Sequence, residues 1–181
     1  ELWSSDGTEA GTTMLPEIYP GVNNGIGGSY LIEGVLSNCF IFSGNHPDYR
    51  EEPYASDGTF AGTQLLKNIQ TTGLGSFPSY LATIGNRLYF SGTLQFSDIE
   101  PWYSDGTTAG TLLLKDLEPT GYSKPFEFTN IDNTNFYFRT LNSSNSRDIW
   151  KSDGTSAGTT KIVTGILSDK IQIANNILYF A

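Results

Sequence analysis

Four near-copies of one string punctuate the chain: ELWSSDGTEAGT at 1–12, EEPYASDGTFAGT at 51–63, EPWYSDGTTAGT at 100–111 and DIWKSDGTSAGT at 148–159. Their aspartates, Asp6, Asp57, Asp105 and Asp153, stand 51, 48 and 48 residues apart. A period of that length means that one supersecondary unit is built four times and that each copy buries its apolar surface against the next. Between motifs lie short apolar runs separated by turn residues, such as QLLKNI, SYLATI and RLYFSG in the second unit. None carries a sustained i, i+3, i+4, i+7 stripe, and alternation with aromatic and β-branched residues predicts strands.

Four strands per unit are expected. Strand a carries Met14–Leu15, Leu65–Leu66, Leu113–Leu114 and Ile162–Val163. Strand b covers Tyr30–Ile32, Tyr80–Ile84, Phe126–Ile131 and Ile171–Ala174. Strand c covers Phe40–Phe42, Leu88–Phe90, Phe136–Phe138 and Leu178–Phe180. Strand d is the pair ahead of each Asp-Gly-Thr that ends on Trp3, Tyr54, Trp102 or Trp150. The c-to-d spacing is constant: Phe42–Asp57, Phe90–Asp105 and Phe138–Asp153 all span 15 residues. The a-to-b spacing varies, and SDK replaces TTGLGSFPS in the fourth unit, so the a–b connections read as surface loops.

A four-stranded antiparallel unit at this period predicts an all-β chain folded as a β-propeller, one repeat domain over residues 1–181. The expected ring has four blades and closes by pairing the N-terminal strand with Leu178–Phe180; an arc of a larger propeller is the alternative. The chain opens on Glu rather than Met, as expected of a processed chain, an excised domain or a partial sequence.

The motif itself suits a connector. Asp accepts from nearby backbone N–H groups in an Asx-turn, Gly supplies a positive φ, and Thr returns a hydroxyl. This assigns a structural role to Asp6, Gly7 and Thr8, to Asp57, Gly58 and Thr59, to Asp105, Gly106 and Thr107, and to Asp153, Gly154 and Thr155. The second Gly allows close backbone approach, and the Ala before it reads as filling a tight site. The functional counter-reading is a structural Ca²⁺ ligated by the four aspartates with neighbouring carbonyls, although each unit offers one Asp rather than the series of an EF-hand. No other cofactor is expected. The acid that opens each motif, Glu1, Glu52, Glu100 or Asp148, shares a strand face with Trp3, Tyr54, Trp102 or Trp150. The expected use is packing, with the carboxylate holding a neighbouring backbone group or hydroxyl; a sugar stacked on an indole beside a carboxylate is the alternative.

The strings ELWSSDGTEAGT, EPWYSDGTTAGT and DIWKSDGTSAGT, each followed by an LYFSG-like strand, resemble the ELWxxDGT repeat family, over essentially the whole chain. The resemblance implies a bacterial, cell-surface or secreted protein with propeller-like repeats, and it implies no activity. Pro53 and Pro101 depart from the Leu of the pattern and read as marks of an outer edge strand. The fourth unit carries Val163 where Lys67 and Lys115 stand in earlier units.

The net charge of −9 would repel a phosphate backbone or an anionic bilayer, which speaks against nucleic-acid and membrane-surface roles. No apolar run approaches the ~20 residues of a membrane span. The one cysteine, Cys39, is expected as a buried small hydrophobe. His46 sits in a loop, and no nucleophile-elbow, zinc or phosphate-loop motif occurs, so no catalytic residue is assigned. The expected function is a non-catalytic extracellular structural or binding module, for self-assembly or adhesion; a lectin-like propeller is the alternative, and a glycan-active enzyme ranks below both. Candidate ligand contacts are loop residues with aromatic or amide groups: Tyr19, Asn23, Asn24, Phe77 and Tyr122.

Overall fold

A computed structural model describes residues 2–21, 24–27, 34–95, 97–142, 144–166 and 171–180. Every regular element in them is a strand. The chain opens with β1 (Trp3–Ser4) paired to β2 (Thr13–Met14). A first four-stranded antiparallel sheet follows, in the order β3 (Gly34–Val35), β4 (Phe40–His46), β5 (Arg50–Ser56), β6 (Gln64–Leu65). The second sheet is β7 (Ser79–Ile84), β8 (Arg87–Gln95), β9 (Asp98–Ser104), β10 (Leu112–Leu113). The third is β11 (Pro125–Asn130), β12 (Phe136–Leu141), β13 (Arg147–Ser152), β14 (Thr160–Val163). Finally β15 (Gln172–Ala174) pairs with β16 (Ile177–Tyr179).

Each full sheet is a meander in which neighbours in sequence are neighbours in space, as short connections favour. In the strand types of the sequence, the order across a sheet is b-c-d-a, so a sheet begins in one repeat and ends in the next. The central c–d hairpins are longer than their apolar pairs suggested. Phe42 faces Tyr54, Phe90 faces Trp102 and Phe138 faces Trp150 in identical register. That register accounts for the invariant 15-residue spacing. The first-unit strand b expected at Tyr30–Ile32, the opening acid Glu1 and the SDK stretch lie outside the described residues.

Two expectations need correction. Strand d is not an outer edge: β5 and β9 each lie between two partners. Proline is tolerated there because strand a is only two residues long. A residue's N–H and C=O point to the same side of an antiparallel ladder. The Pro53 carbonyl accepts from Leu66 N at 2.9 Å, so its missing donor faces the side where β6 has already ended. Pro101 accepts from Leu114 N in the same way. Nor do the N-terminal and C-terminal strands pair: among the described residues β1 bonds only β2, and β16 only β15. Trp3 is accordingly 59% exposed, and Ile177, Tyr179 and Phe180 are exposed too.

The core is divided among the interfaces between successive sheets. Leu36, Ile41, Leu66, Leu88 and Phe90 fill the space between the first and second sheets. Ile84, Leu114, Phe128, Phe136 and Phe138 fill that between the second and third. Ile18, Phe42 and Tyr54 pack with Leu2 on one outer face, and Ile149, Ile166 and Ile171 pack with Leu178 on the other. Two lysines tie consecutive sheets together: Lys67 Nζ donates to Thr111 O at 2.6 Å, and Lys115 Nζ to Thr159 O at 2.7 Å. The β7–β8 and β11–β12 turns approach closely too, since a Cβ on Gly85 would stand 2.4 Å from the Asn133 carbonyl oxygen.

Candidate binding cleft

The repeated polar residues are engaged in holding the scaffold. In all four loops the aspartate Oδ1 accepts from the backbone N–H and the hydroxyl of the Thr two residues on, at 2.9 and 2.7 Å. That Thr hydroxyl in turn accepts from the second Gly, and the preceding Ser caps the first Gly N–H. The first Gly has φ between +82° and +91°. The second lies against the aspartate: a Cβ on Gly110 would stand 2.0 Å from Asp105 Oδ1. The Thr hydroxyl, then its N–H, holds each of these four carboxyls below the usual carboxylate range. The alanines at 10, 61, 109 and 157 face solvent rather than filling a tight site. The four aspartates considered for Ca²⁺ sit one per loop, and among the described residues no three His, Cys, Asp or Glu side chains converge.

The acid at the head of each motif pins the a–b loop. Glu52 accepts from Ile69 N and Gln70 N at 3.0 Å and from Ser76 Oγ at 2.6 Å. Glu100 accepts from Leu117 N and Ser123 Oγ at 2.9 Å, leaving its Oε1 with no partner among the described residues. Asp148 accepts from Gly165 N, Ser146 Oγ and, at 2.7 Å, the Lys161 ammonium. The loop amides sit 17 residues after each acid, so one device serves three sheets. Its electrostatics differ with the residue on strand a. Burial raises the Glu52 carboxyl and pushes Glu100 up to about 7, where Leu65 and Leu113 offer no countercharge. Burial acts on Asp148 as well, but Lys161, Ser146 and Gly165 outweigh it and hold its pKa below the ordinary value. The paired aromatics Tyr54, Trp102 and Trp150 are buried, Tyr54 on the outer face of the first sheet and the two tryptophans between sheets, whereas Trp3 is exposed.

The candidate loop residues scatter. Tyr19 is half-buried, and Asn24 turns its Oδ1 onto Ile26 N. Phe77 borders a shallow groove with Arg50 and Leu74, while Tyr122 lies under the Lys124 ammonium, 4.5 Å from its ring centre. Asn23 lies outside the described residues. Cys39 is half-buried, and His46 stacks on Tyr49 at 4.7 Å.

A cleft of about 300 Å³ opens where the second and third sheets diverge. β7 and β11 both carry a bulge here, between Ser79 and Ala82 and between Phe126 and Thr129. Each bulge holds a non-glycine residue in the left-handed region, Tyr80 at φ +55° and Glu127 at +54°. Such strain persists only where the surroundings over-determine it. Tyr80 and Phe126 line the cleft, with ring centres 6.0 Å apart. Lys124, Arg139 and Arg147 line it as well, and no carboxylate is among the lining residues. The Arg139 guanidinium lies 4.7 Å from the centre of the Phe126 ring and pairs with Glu127 at 2.9 Å. Three of the ten basic residues in an acidic chain thus border one cleft. The 48-residue register shows what differs. Where the first two sheets carry Ser43 and Ser91, the third carries Arg139; where they carry Glu51 and Ile99, it carries Arg147. These substitutions are visible on aligning the repeats, but they fall within strands, and attention to loops passes over them.

Comparison with known proteins bears on the fold alone. No protein-family model and no curated protein matches the chain. One solved structure, from work on two prolyl endopeptidases and the role of inter-domain dynamics in their catalysis and specificity, superposes with a TM-score of 0.51. The identity is 9%, and the match covers 76% of this chain and 21% of that one. The class defined by sheets and similarity together is all-β, built of four-stranded antiparallel meanders packed face on face.

Proposed function

We propose that this chain is a non-catalytic, extracellular binding module of ELWxxDGT-type propeller repeats, with its ligand held in the cleft between the second and third sheets. The observation that carries this is the break in symmetry. The residues common to all repeats are engaged in turns, loop anchors and interfaces, whereas the exceptional residues Arg139, Arg147 and Lys124 border one concave site beside the exposed Tyr80. Ligand sites combine an apolar wall with a few placed polar groups, and this cleft has both. Screening glycan and peptide libraries with the wild type, Tyr80→Ala and Arg147→Met tests it: binding should fall in both variants. Turnover of a bound glycan, abolished by the same changes, would overturn the non-catalytic assignment.

The propeller arrangement is supported by the two half-sheets. β1–β2 supplies strand types d and a, and β15–β16 supplies b and c. These strand types are complementary, and Trp3, Ile177, Tyr179 and Phe180 meet solvent at their edges. A second role, self-assembly, is favoured by these same open edges, which are templates for strand addition. Concentration-dependent sedimentation, lost on Leu178→Pro, would support assembly.

A further inference from the structure

We infer that the loop from β10 to β11, residues 114–124, is a pH-sensitive latch beside the cleft, held shut while Glu100 carries a proton and opening to water once that carboxyl ionises. The ground is a difference between three otherwise matching anchors. Glu52 fills both oxygens: Oε1 accepts from Gln70 N, and Oε2 from Ile69 N and Ser76 Oγ. Asp148 has the Lys161 ammonium at 2.7 Å. Glu100 has neither. Its serine stands 23 residues on rather than 24, and in this shorter loop Leu117 N and Ser123 Oγ both fall on Oε2. Oε1 is buried with no hydrogen-bond partner among the described residues. A charge on such an atom costs far more than a neutral group there.

The surrounding charges add to that cost. Asp98, two residues back along β9, and Asp116, in the loop itself, both oppose ionisation, and Glu118 is the loop's other acid. Opposite Glu100 stands Gly92 of β8, and β10 consists of two leucines. Three lysines reach this region and are engaged elsewhere: Lys67 Nζ with Thr111 O, Lys115 Nζ with Thr159 O, and Lys124 over the Tyr122 ring. Burial is the main cause of the rise of this carboxyl to about 7. An opened loop returns it to its ordinary 4.5, so between those values the closed form loses about tenfold of its advantage per pH unit.

The loop is suited to move by itself. It contains no strand or helix, and Asp116, Pro119, Thr120 and Lys124 are exposed, so lifting it wets Glu100 without unpacking the sheets. Its far end meets the cleft. Ser123 N, Ser123 Oγ and Lys124 N all donate to Ile99 O, and Ile99 and Lys124 line the cleft. Release of Ser123 therefore loosens one margin of that site.

The test is hydrogen–deuterium exchange of the full chain, read amide by amide by NMR from pH 5 to 8.5 and corrected for intrinsic rates. Protection at Leu117 and Ser123 should fall over this range at least about tenfold more than at Gly165, whose partner Asp148 is held below 3.8 and stays ionised throughout. Glu100→Gln should abolish that difference. Ser123→Ala, which removes one of the two anchors, should lower Leu117 protection about fivefold already at pH 5. Wild-type protection that stays flat, or that falls equally at Gly165, would overturn the latch, as would an undiminished fall in Glu100→Gln. Carbon-13 titration of the wild-type Glu100 carboxyl needs no variant, and a midpoint below pH 5 would overturn it too.

Discussion

Glu100→Gln isolates a carboxylate that the fold holds under strain. The side chain is 1% exposed; its Oε2 accepts from Leu117 N and Ser123 Oγ, and Oε1 has no partner among the described residues. Burial raises its pKa from the ordinary 4.5 to about 7, partly offset by those two hydrogen bonds, with Asp98 and Asp116 adding to the rise. Between those pH values the folded chain keeps a proton that the unfolded chain has released. Stability therefore falls as pH rises through this window, at about 1.4 kcal/mol per pH unit, or about 3 kcal/mol in all. Glutamine keeps the acceptor for Leu117 and Ser123 and cannot ionise. The gap between variant and wild type should therefore shift by about 3 kcal/mol in the variant's favour from pH 4.5 to pH 8. Glu52→Gln is the contrast, because both Glu52 oxygens accept from backbone N–H groups. One orientation or the other forces an amide NH₂ against a donor. At pH 8 it should be less stable than Glu100→Gln by about 1–3 kcal/mol. Urea unfolding of the three proteins at half-unit steps from pH 4.5 to 8.5 measures both quantities. A wild-type-minus-Glu100→Gln difference that stays flat across that range would refute the account.

Asp148→Asn should show the opposite pH trend. The wild-type carboxyl is held below its ordinary 3.8, so its stabilisation is present above that value and is lost as pH falls below it; acid unfolding midpoints check this. Gly44→Ala drives a Cβ to 2.3 Å from the Tyr54 ring and should lower stability by about 1–3 kcal/mol in denaturant titration. Lys67→Met removes the inter-sheet bond to Thr111 O and should cost about 1 kcal/mol, with faster amide exchange at the first–second interface. Asp105→Ala breaks two surface hydrogen bonds to Thr107 and should cost about 1 kcal/mol, and an unchanged melting temperature would contradict its capping role.

Much of the architecture was legible because period and composition act locally. Alternation around Leu88–Phe90 and Phe136–Phe138 marked true strands, and the constant 15-residue spacing corresponds to one hairpin register. What stayed hidden depends on geometry between units. Pro53 suggested an edge, but the shortness of β6 gives its nitrogen a vacant side within a sheet. Trp3 was grouped with Tyr54, Trp102 and Trp150, yet burial of that position needs a strand c beside it, which β1 lacks. The cleft was missed for a similar reason. Arg139 and Arg147 lie 8 residues apart on paired strands of one sheet, while Tyr80 comes from another, and only the packing of two bulged strands brings the three together.

Because each four-stranded sheet takes strands b and c from one repeat and d and a from the next, the hydrogen-bonded unit is offset by half a period from the repeated string. Each sheet is one continuous stretch of chain, joined to its neighbours by the apolar seams and by the Lys67 and Lys115 bonds. Under a pulling force the chain should therefore yield sheet by sheet, with the breaks falling in the a–b loops rather than at the Asp-Gly-Thr strings.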